Sequence, residues 1–199
     1  MAITASQVQE LRKRTNVGMM DCKNALTEAD GDMDKAVEIL RTRGIAKAQD
    51  RAGRAAKEGV IEAYIHAGAK LGVLLEVNSE TDFVARTDEF TSFTKDVAMH
   101  IAAAAPLVVS REELDSELLE KEKAIYREQA IQEGKPEQVV GKIVEGRVDK
   151  YYQDVCLMEQ SFVKDPDKTV QDLLNELVAQ CGENVTIRRF DRFVLGDES

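Results

Sequence analysis

Asp82, Phe83 and Arg86 fall within one seven-residue stretch, Glu80-Thr81-Asp82-Phe83-Val84-Ala85-Arg86. An acid, an aromatic ring and a guanidinium so close together can hold a partner by contact. None of them is a nucleophile with a base beside it. The flanking sequence shows what positions them. Leu71–Val77 is apolar and β-branched enough for a buried strand. Thr87-Asp88-Glu89 reads as a helix N-terminus, a hydroxyl followed by two acids. The helix it opens carries Phe90, Phe93, Val97, Ile101 and Ala104 at three- and four-residue spacing. The stretch is therefore a short strand-to-helix connection held at both ends. Two local readings stand side by side. Either Phe83 tucks into the core and Asp82 caps the helix, the commoner fate of an aromatic residue, or the turn presents Phe83 outward.

Other chemistry is sparse. There is no GxxxxGK[ST] loop, no GxGxxG after a strand, no HExxH and no GxSxG. His66 and His100 are the two histidines, and no cysteine stands at metal-ligand spacing to either. His66 sits at the tip of a hairpin and reads as a solvated loop residue. His100 lies inside the Phe90–Ala104 helix and reads as a packing residue. Asp30, Asp32 and Asp34 suggest a calcium loop, but the sixth position from Asp30 is Lys35 and the twelfth is Arg41; helix stop and N-cap chemistry explains them. No carboxylate pair stands out as an acid/base couple. The absence of these motifs favours a protein that works by contact.

Composition sets the class. The 199 residues are 43% apolar and 32% charged, and no apolar run approaches the ~20 residues of a membrane span. The first six residues carry neither a basic leader nor an apolar signal core. Cys22, Cys156 and Cys181 make an odd count without a CxxC pair, which predicts a reducing cytoplasm and no disulfide framework. The net charge of −10 is uneven: residues 1–57 hold 11 Lys and Arg against 8 Asp and Glu, the remainder 16 against 29. An acidic main body argues against broad nucleic-acid binding.

Taken in order, residues 3–43 predict three short helices. Thr4 and Gln7 have capping-box spacing, and Ile3 with Val8 that of a hydrophobic staple. Asn16-Val17-Gly18 turns the chain, and Asp30-Gly31-Asp32 stops the second helix and starts the third. Three helices in about forty residues resemble a ubiquitin-associated domain, a module that binds partners. Residues 44–57 carry Lys47, Arg51, Arg54 and Lys57 among alanines and predict a helix-prone basic linker. From Gly59 the period changes to two: Val60–His66 and Leu71–Val77 predict a hairpin closed by Ala67-Gly68-Ala69-Lys70. Ser110 and Glu113 have the spacing of a further capping box, opening a charged, thinly packed helix over 111–133. Gly134-Lys135-Pro136 ends it, and a helix with a wider apolar face follows through Val148, Tyr151 and Tyr152. A last helix runs from Thr169 and Asp172 to Cys181, with Gly182 as its cap, and a strand occupies Val185–Val194. The fold class predicted is α+β: a three-helix domain over 1–43, a linker over 44–57, and an α+β core over 58–199 with a three-stranded antiparallel sheet and flanking helices.

Two stretches together carry a family resemblance. Gly18-Met19-Met20-Asp21-Cys22-Lys23-Asn24-Ala25-Leu26 and Asn78-Ser79-Glu80-Thr81-Asp82-Phe83-Val84-Ala85-Arg86 strongly resemble bacterial translation elongation factor Ts. Gly182-Glu183-Asn184-Val185-Thr186-Ile187-Arg188-Arg189, Gly134-Lys135-Pro136 and Val144-Glu145-Gly146-Arg147 are similar to it as well. The resemblance spans essentially the whole chain, in the family's short form with a single core. It implies a guanine-nucleotide exchange factor for elongation factor Tu, acting without catalytic groups or a cofactor. It implies that Asp82 and Phe83, within Thr81–Val84, contact the GTPase near its magnesium and phosphate site. It implies further contacts from Arg12, Met19, Met20 and Lys23 of the small domain, and from His66 and Gly182 of the core. A single core implies a homodimer that supplies the second copy in trans. Two other readings compete: an adaptor or RNA-associated protein built on the helical domain, which leaves Asp82 and Phe83 without a role, and a hydrolase, for which no constellation is present.

Overall fold

A computed structural model describes residues 3–15 and 17–197; Asn16 of the expected first turn lies outside the described residues. The described elements run α1 (Ala5–Thr15), α2 (Met19–Glu28), α3 (Met33–Arg51), β1 (Glu58–Ile65), β2 (Leu71–Ser79), α4 (Asp82–Ala85), α5 (Asp88–Ala104), α6 (Ser116–Gln132), α7 (Glu137–Val155), β3 (Ser161–Phe162), β4 (Asp165–Thr169), α8 (Val170–Cys181) and β5 (Val185–Val194). The fold is α+β. β1, β2 and β5 form a three-stranded antiparallel sheet with β2 in the middle, and β3 and β4 form a separate hairpin.

The chain divides into two compact units. The first comprises Met1–Val60, Val77–Phe93 and Asp172–Thr186. In it α1, α2 and α3 enclose a core of Val8, Leu11, Cys22, Ala25, Leu26, Ala29, Ala36 and Leu40, with Ile3, Val17, Met33, Val37 and Ile39 packed against it. The caps read from sequence are present. The Gln7 side chain accepts the Thr4 N–H at 3.0 Å, and Thr4 Oγ1 accepts the Gln7 N–H at 3.3 Å. Asp30 and Gly31 take left-handed backbone, with φ of 53° and 88°. Asp32 then caps α3, its carboxylate accepting the N–H groups of Asp34 and Lys35 at 3.1 Å each.

α3 runs on to Arg51 instead of ending at residue 43. No helix breaker interrupts Ile45–Arg51, and the buried Gly44 faces α8, where an added Cβ would lie 3.8 Å from the Ala179 Cβ, an ordinary contact. Two of the basic residues of this stretch have acidic partners. Lys47 pairs with Asp21 at 3.1 Å, and Arg54 with Glu80 at 3.6 Å. One turn earlier on α3, Arg41 holds Asp172 through both carboxylate oxygens.

The second unit comprises Ile61–Glu76, Thr94–Gln171 and Ile187–Ser199. Its buried residues include Val73, Leu75, Ile101, Val109, Val140, Val148, Leu157, Phe162 and Ile187. α6 buries a single residue, Ala130, in keeping with its thin apolar stripe. It starts later than the Ser110/Glu113 spacing suggests. Residues Arg111–Glu113 form one 3₁₀ turn, Glu113 reaches back to the Val109 N–H, and Asp115 caps α6 by accepting the Glu117 N–H at 2.8 Å. The extended backbone at Leu114 separates the two.

β2 is buried on one face only. Val73, Leu75 and Val77 are inward, while Leu74 is exposed. Gly72 faces Ile65, since a Cβ there would meet the Ile65 Cδ1 at 3.0 Å, and Arg189 pairs with Glu76 at 2.7 Å. Ile65, Leu74, Phe193 and Leu195, all exposed, line one shallow apolar pocket at this end of the sheet, and Ile61 is exposed on β1.

Candidate functional site

The Glu80–Arg86 stretch begins where β2 ends. Ser79, fully buried, donates its hydroxyl to the Thr81 carbonyl at 2.8 Å. Thr81 has extended backbone, and its Oγ1 accepts the Val84 N–H at 3.5 Å, so Thr81 caps the single turn of α4. Thr87 repeats the device six residues on. Its hydroxyl donates to the Val84 carbonyl at 2.9 Å and accepts the Phe90 N–H at 3.3 Å, opening α5. The two threonines thus cap the successive helices α4 and α5.

Across this turn stands the junction of α8 and β5, reached by a reciprocal pair of carboxylates. Glu183 accepts the Thr81 hydroxyl at 2.7 Å and the Thr81 N–H at 3.0 Å. Glu80 accepts the Asn184 N–H at 2.6 Å. Asn184, itself buried, donates its amide to the Arg54 carbonyl at 2.7 Å. Gly182, at φ 75°, ends α8 by donating its N–H to the Val178 carbonyl. A left-handed residue here is what brings Glu183 round to face Thr81.

Held this way, the turn turns its largest apolar side chain to water. Phe83 is 79% exposed, whereas Val84 and Ala85 are buried beneath it. The reading that tucks Phe83 into the core is thus overturned, and so is the cap assigned to Asp82. Asp82 pairs instead with Arg86 at 2.8 Å, an i, i+4 bridge on the surface. Leaving a phenyl ring in water forgoes about 1.5–3 kcal/mol of burial.

The remaining candidates lie as follows. Met19 and Met20, at the start of α2, are 42% and 68% exposed. Arg12 on α1 and Lys23 on α2 are exposed. These four, with Thr81–Val84 and Gly182, belong to the first unit; His66 belongs to the second. His66 is exposed at the hairpin tip, where its Nδ1 lies 3.0 Å from the Tyr64 hydroxyl. Gly182 is brought to Thr81 through its neighbour Glu183. The roles of Glu80, Glu183 and Asn184 carry no local sequence signal, because the partners are about a hundred residues apart; the likeness of Asn78–Arg86 and Gly182-Glu183-Asn184 to the family is the hint.

Burial pushes the thiols of Cys22 and Cys181 up, and that of Cys156 up to about 11, so none is an activated thiolate. His100 is buried, with Nε2 on Gln160 Oε1 at 2.9 Å and Nδ1 accepting the Val163 N–H at 3.3 Å. Among the described residues no group of three or more His, Cys, Asp or Glu is placed to hold a metal ion. None of their helices is long and apolar enough to cross a membrane.

The chain is similar to known proteins over nearly its whole length. A family model described as "Elongation factor TS" matches residues 3–197. The chain is 61% identical over 197 residues to Elongation factor Ts of Geobacter sulfurreducens, covering 99% of this chain and 91% of that protein. It is 60% identical over 195 residues to Elongation factor Ts of Acetivibrio thermocellus, covering 98% and 91%. The same identity over 195 residues relates it to Elongation factor Ts of Carboxydothermus hydrogenoformans, covering 98% and 90%.

Proposed function

Because this chain belongs to the elongation factor Ts family, we propose that it is the guanine-nucleotide exchange factor of elongation factor Tu. The observation that carries the reading is the exposed Phe83 on a turn fixed from both sides. Phe83 wedges between side chains of the GTPase near its magnesium and phosphate site, and Asp82 works beside it, exchanging its surface partner Arg86 for a group of the GTPase. Mg²⁺ bridges the phosphates of a bound nucleotide, so disturbing its surroundings loosens GDP. No bond is made or broken, and the protein acts as a binding partner, not an enzyme.

Arg12, Met19, Met20 and Lys23 make a second contact from the helical domain, residues 1–43, with the two methionines supplying an adaptable apolar patch. His66 and Gly182 border the core contacts. The protein works in the cytoplasm, with neither a membrane nor a nucleic acid as partner. It does so as a homodimer, and the exposed Ile65, Leu74, Phe193 and Leu195 around one shallow pocket support that reading, since large apolar side chains gathered together in water mark an interaction surface. Equilibrium sedimentation at micromolar concentration is expected to give a dimer; monomer alone contradicts it.

Exchange requires tighter binding to the nucleotide-free GTPase than to the loaded one, and that coupling is reciprocal. The test is release of GDP from elongation factor Tu with and without this protein, together with dissociation of the complex by excess GDP and Mg²⁺. Equal affinity for both forms of the GTPase would shift nothing and would end the exchange reading.

A further inference from the structure

We infer that Glu183, with Glu80 in reciprocal support, is a positioning residue that aims Phe83, so that the junction of α8 and β5 controls how well the turn engages its partner. The inference rests on the exchange reading above and names a residue for it. α4 is one turn long, Asp82–Ala85, and a single turn does not hold itself, since nucleating it fixes several dihedrals for one hydrogen bond. Its order must come from outside. Glu183 supplies it. One carboxylate takes both donors of Thr81, the hydroxyl at 2.7 Å and the N–H at 3.0 Å.

The hydroxyl has a single proton. With that proton committed to Glu183, only lone pairs are left toward Val84, and the hydroxyl can cap α4 in one rotamer. Ser79 fixes the Thr81 carbonyl from the other side at 2.8 Å. Thr81 is thus held at its N–H, its carbonyl and its hydroxyl, and Phe83 follows two residues later. Glu80 closes the loop in the opposite direction by accepting the Asn184 N–H at 2.6 Å, while the Asn184 amide holds the Arg54 carbonyl. The two carboxylates cross between the segments, each binding the backbone of the other. Hydrogen bonds to an ionised group are the strong ones. An exposed aromatic side chain gains affinity when its backbone is fixed before binding, because less freedom remains to be lost.

A double-mutant cycle on the maximal rate of GDP release from elongation factor Tu, read with fluorescent GDP at saturating exchange factor, tests this. Phe83→Ala should slow release about thirtyfold. Glu183→Ala should slow it about tenfold in the native background and by less than about twofold in the Phe83→Ala background, because nothing remains for Glu183 to aim. Glu183→Gln keeps one acceptor oxygen and should fall between native and Glu183→Ala; if the alanine variant does not fold, the cycle is run with glutamine. A purely structural Glu183 would slow release by the same factor in both backgrounds, and that result overturns the inference, as does an unchanged rate in Glu183→Ala. A Phe83→Ala protein that releases GDP at the native rate is a different failure, which removes the exchange reading and the inference with it.

Discussion

Asp82 and Arg86 form an ion pair of 2.8 Å, one turn apart, with both side chains facing solvent. An exposed i, i+4 pair contributes about 0.5 kcal/mol. Thr81, by contrast, caps the turn and is bonded through its hydroxyl and its N–H. The two neighbours should therefore behave differently. Asp82→Ala should leave the melting temperature within about 2 °C of native, whereas Thr81→Ala should lower stability by about 1 kcal/mol or more. Thermal unfolding of both variants checks this; a larger loss for Asp82→Ala would restore the capping role to Asp82.

The pH dependence of stability should carry a contribution from His100. Burial lowers its pKa below the ordinary histidine value, against a smaller upward pull from the hydrogen bond to Gln160. Because the Val163 N–H donates to Nδ1, the imidazole is neutral with its proton on Nε2. A histidine whose folded pKa is depressed stabilises fully above its unfolded value of about 6.5, and that contribution is lost as pH falls toward the folded value. Urea midpoints measured from about pH 7.5 to about pH 5 should fall in the native protein and fall less steeply in His100→Gln. Equal slopes would remove His100 as the source.

Gly44 gives a prediction of opposite sign. It sits inside α3, where glycine costs roughly 1 kcal/mol against alanine, and an added Cβ would lie 3.8 Å from the Ala179 Cβ and 4.0 Å from the Asn175 carbonyl oxygen, ordinary contact distances. Gly44→Ala should raise the melting temperature by about 2 °C or more. A decrease would mean that α3 and α8 pack too closely at Gly44 to admit a methyl group.

Much of the fold was legible because it is locally determined. The stripe of Phe90, Phe93, Val97 and Ile101 and the cap at Asp32 each follow from a period or a hydrogen bond within a few residues, and the last strand lies where Val185–Val194 predicts it. β3 and β4 were not legible, since Asp165-Pro166-Asp167-Lys168-Thr169 has poor strand propensity and is extended only through pairing with Ser161 and Phe162. The outward Phe83 was illegible from local pattern for the same reason. What fixes its backbone is Glu183, 102 positions from Thr81, and only the family resemblance pointed to it. β2 is the buried strand that Leu71–Val77 predicts, through Val73, Leu75 and Val77, while Leu74 on its other face is open to solvent.

The central claim is that Phe83 works on a partner and not in the fold. Its most direct test is Phe83→Ala, with the melting temperature and the rate of GDP release from elongation factor Tu measured on the same preparation. An exposed ring leaves no cavity, so the melting temperature should stay within about 2 °C of native. The loss of an interface anchor worth about 2 kcal/mol or more should slow GDP release roughly thirtyfold or more. A variant that releases GDP at the native rate while its stability falls by about 3–5 kcal/mol, the cost of emptying a core site, would contradict the account.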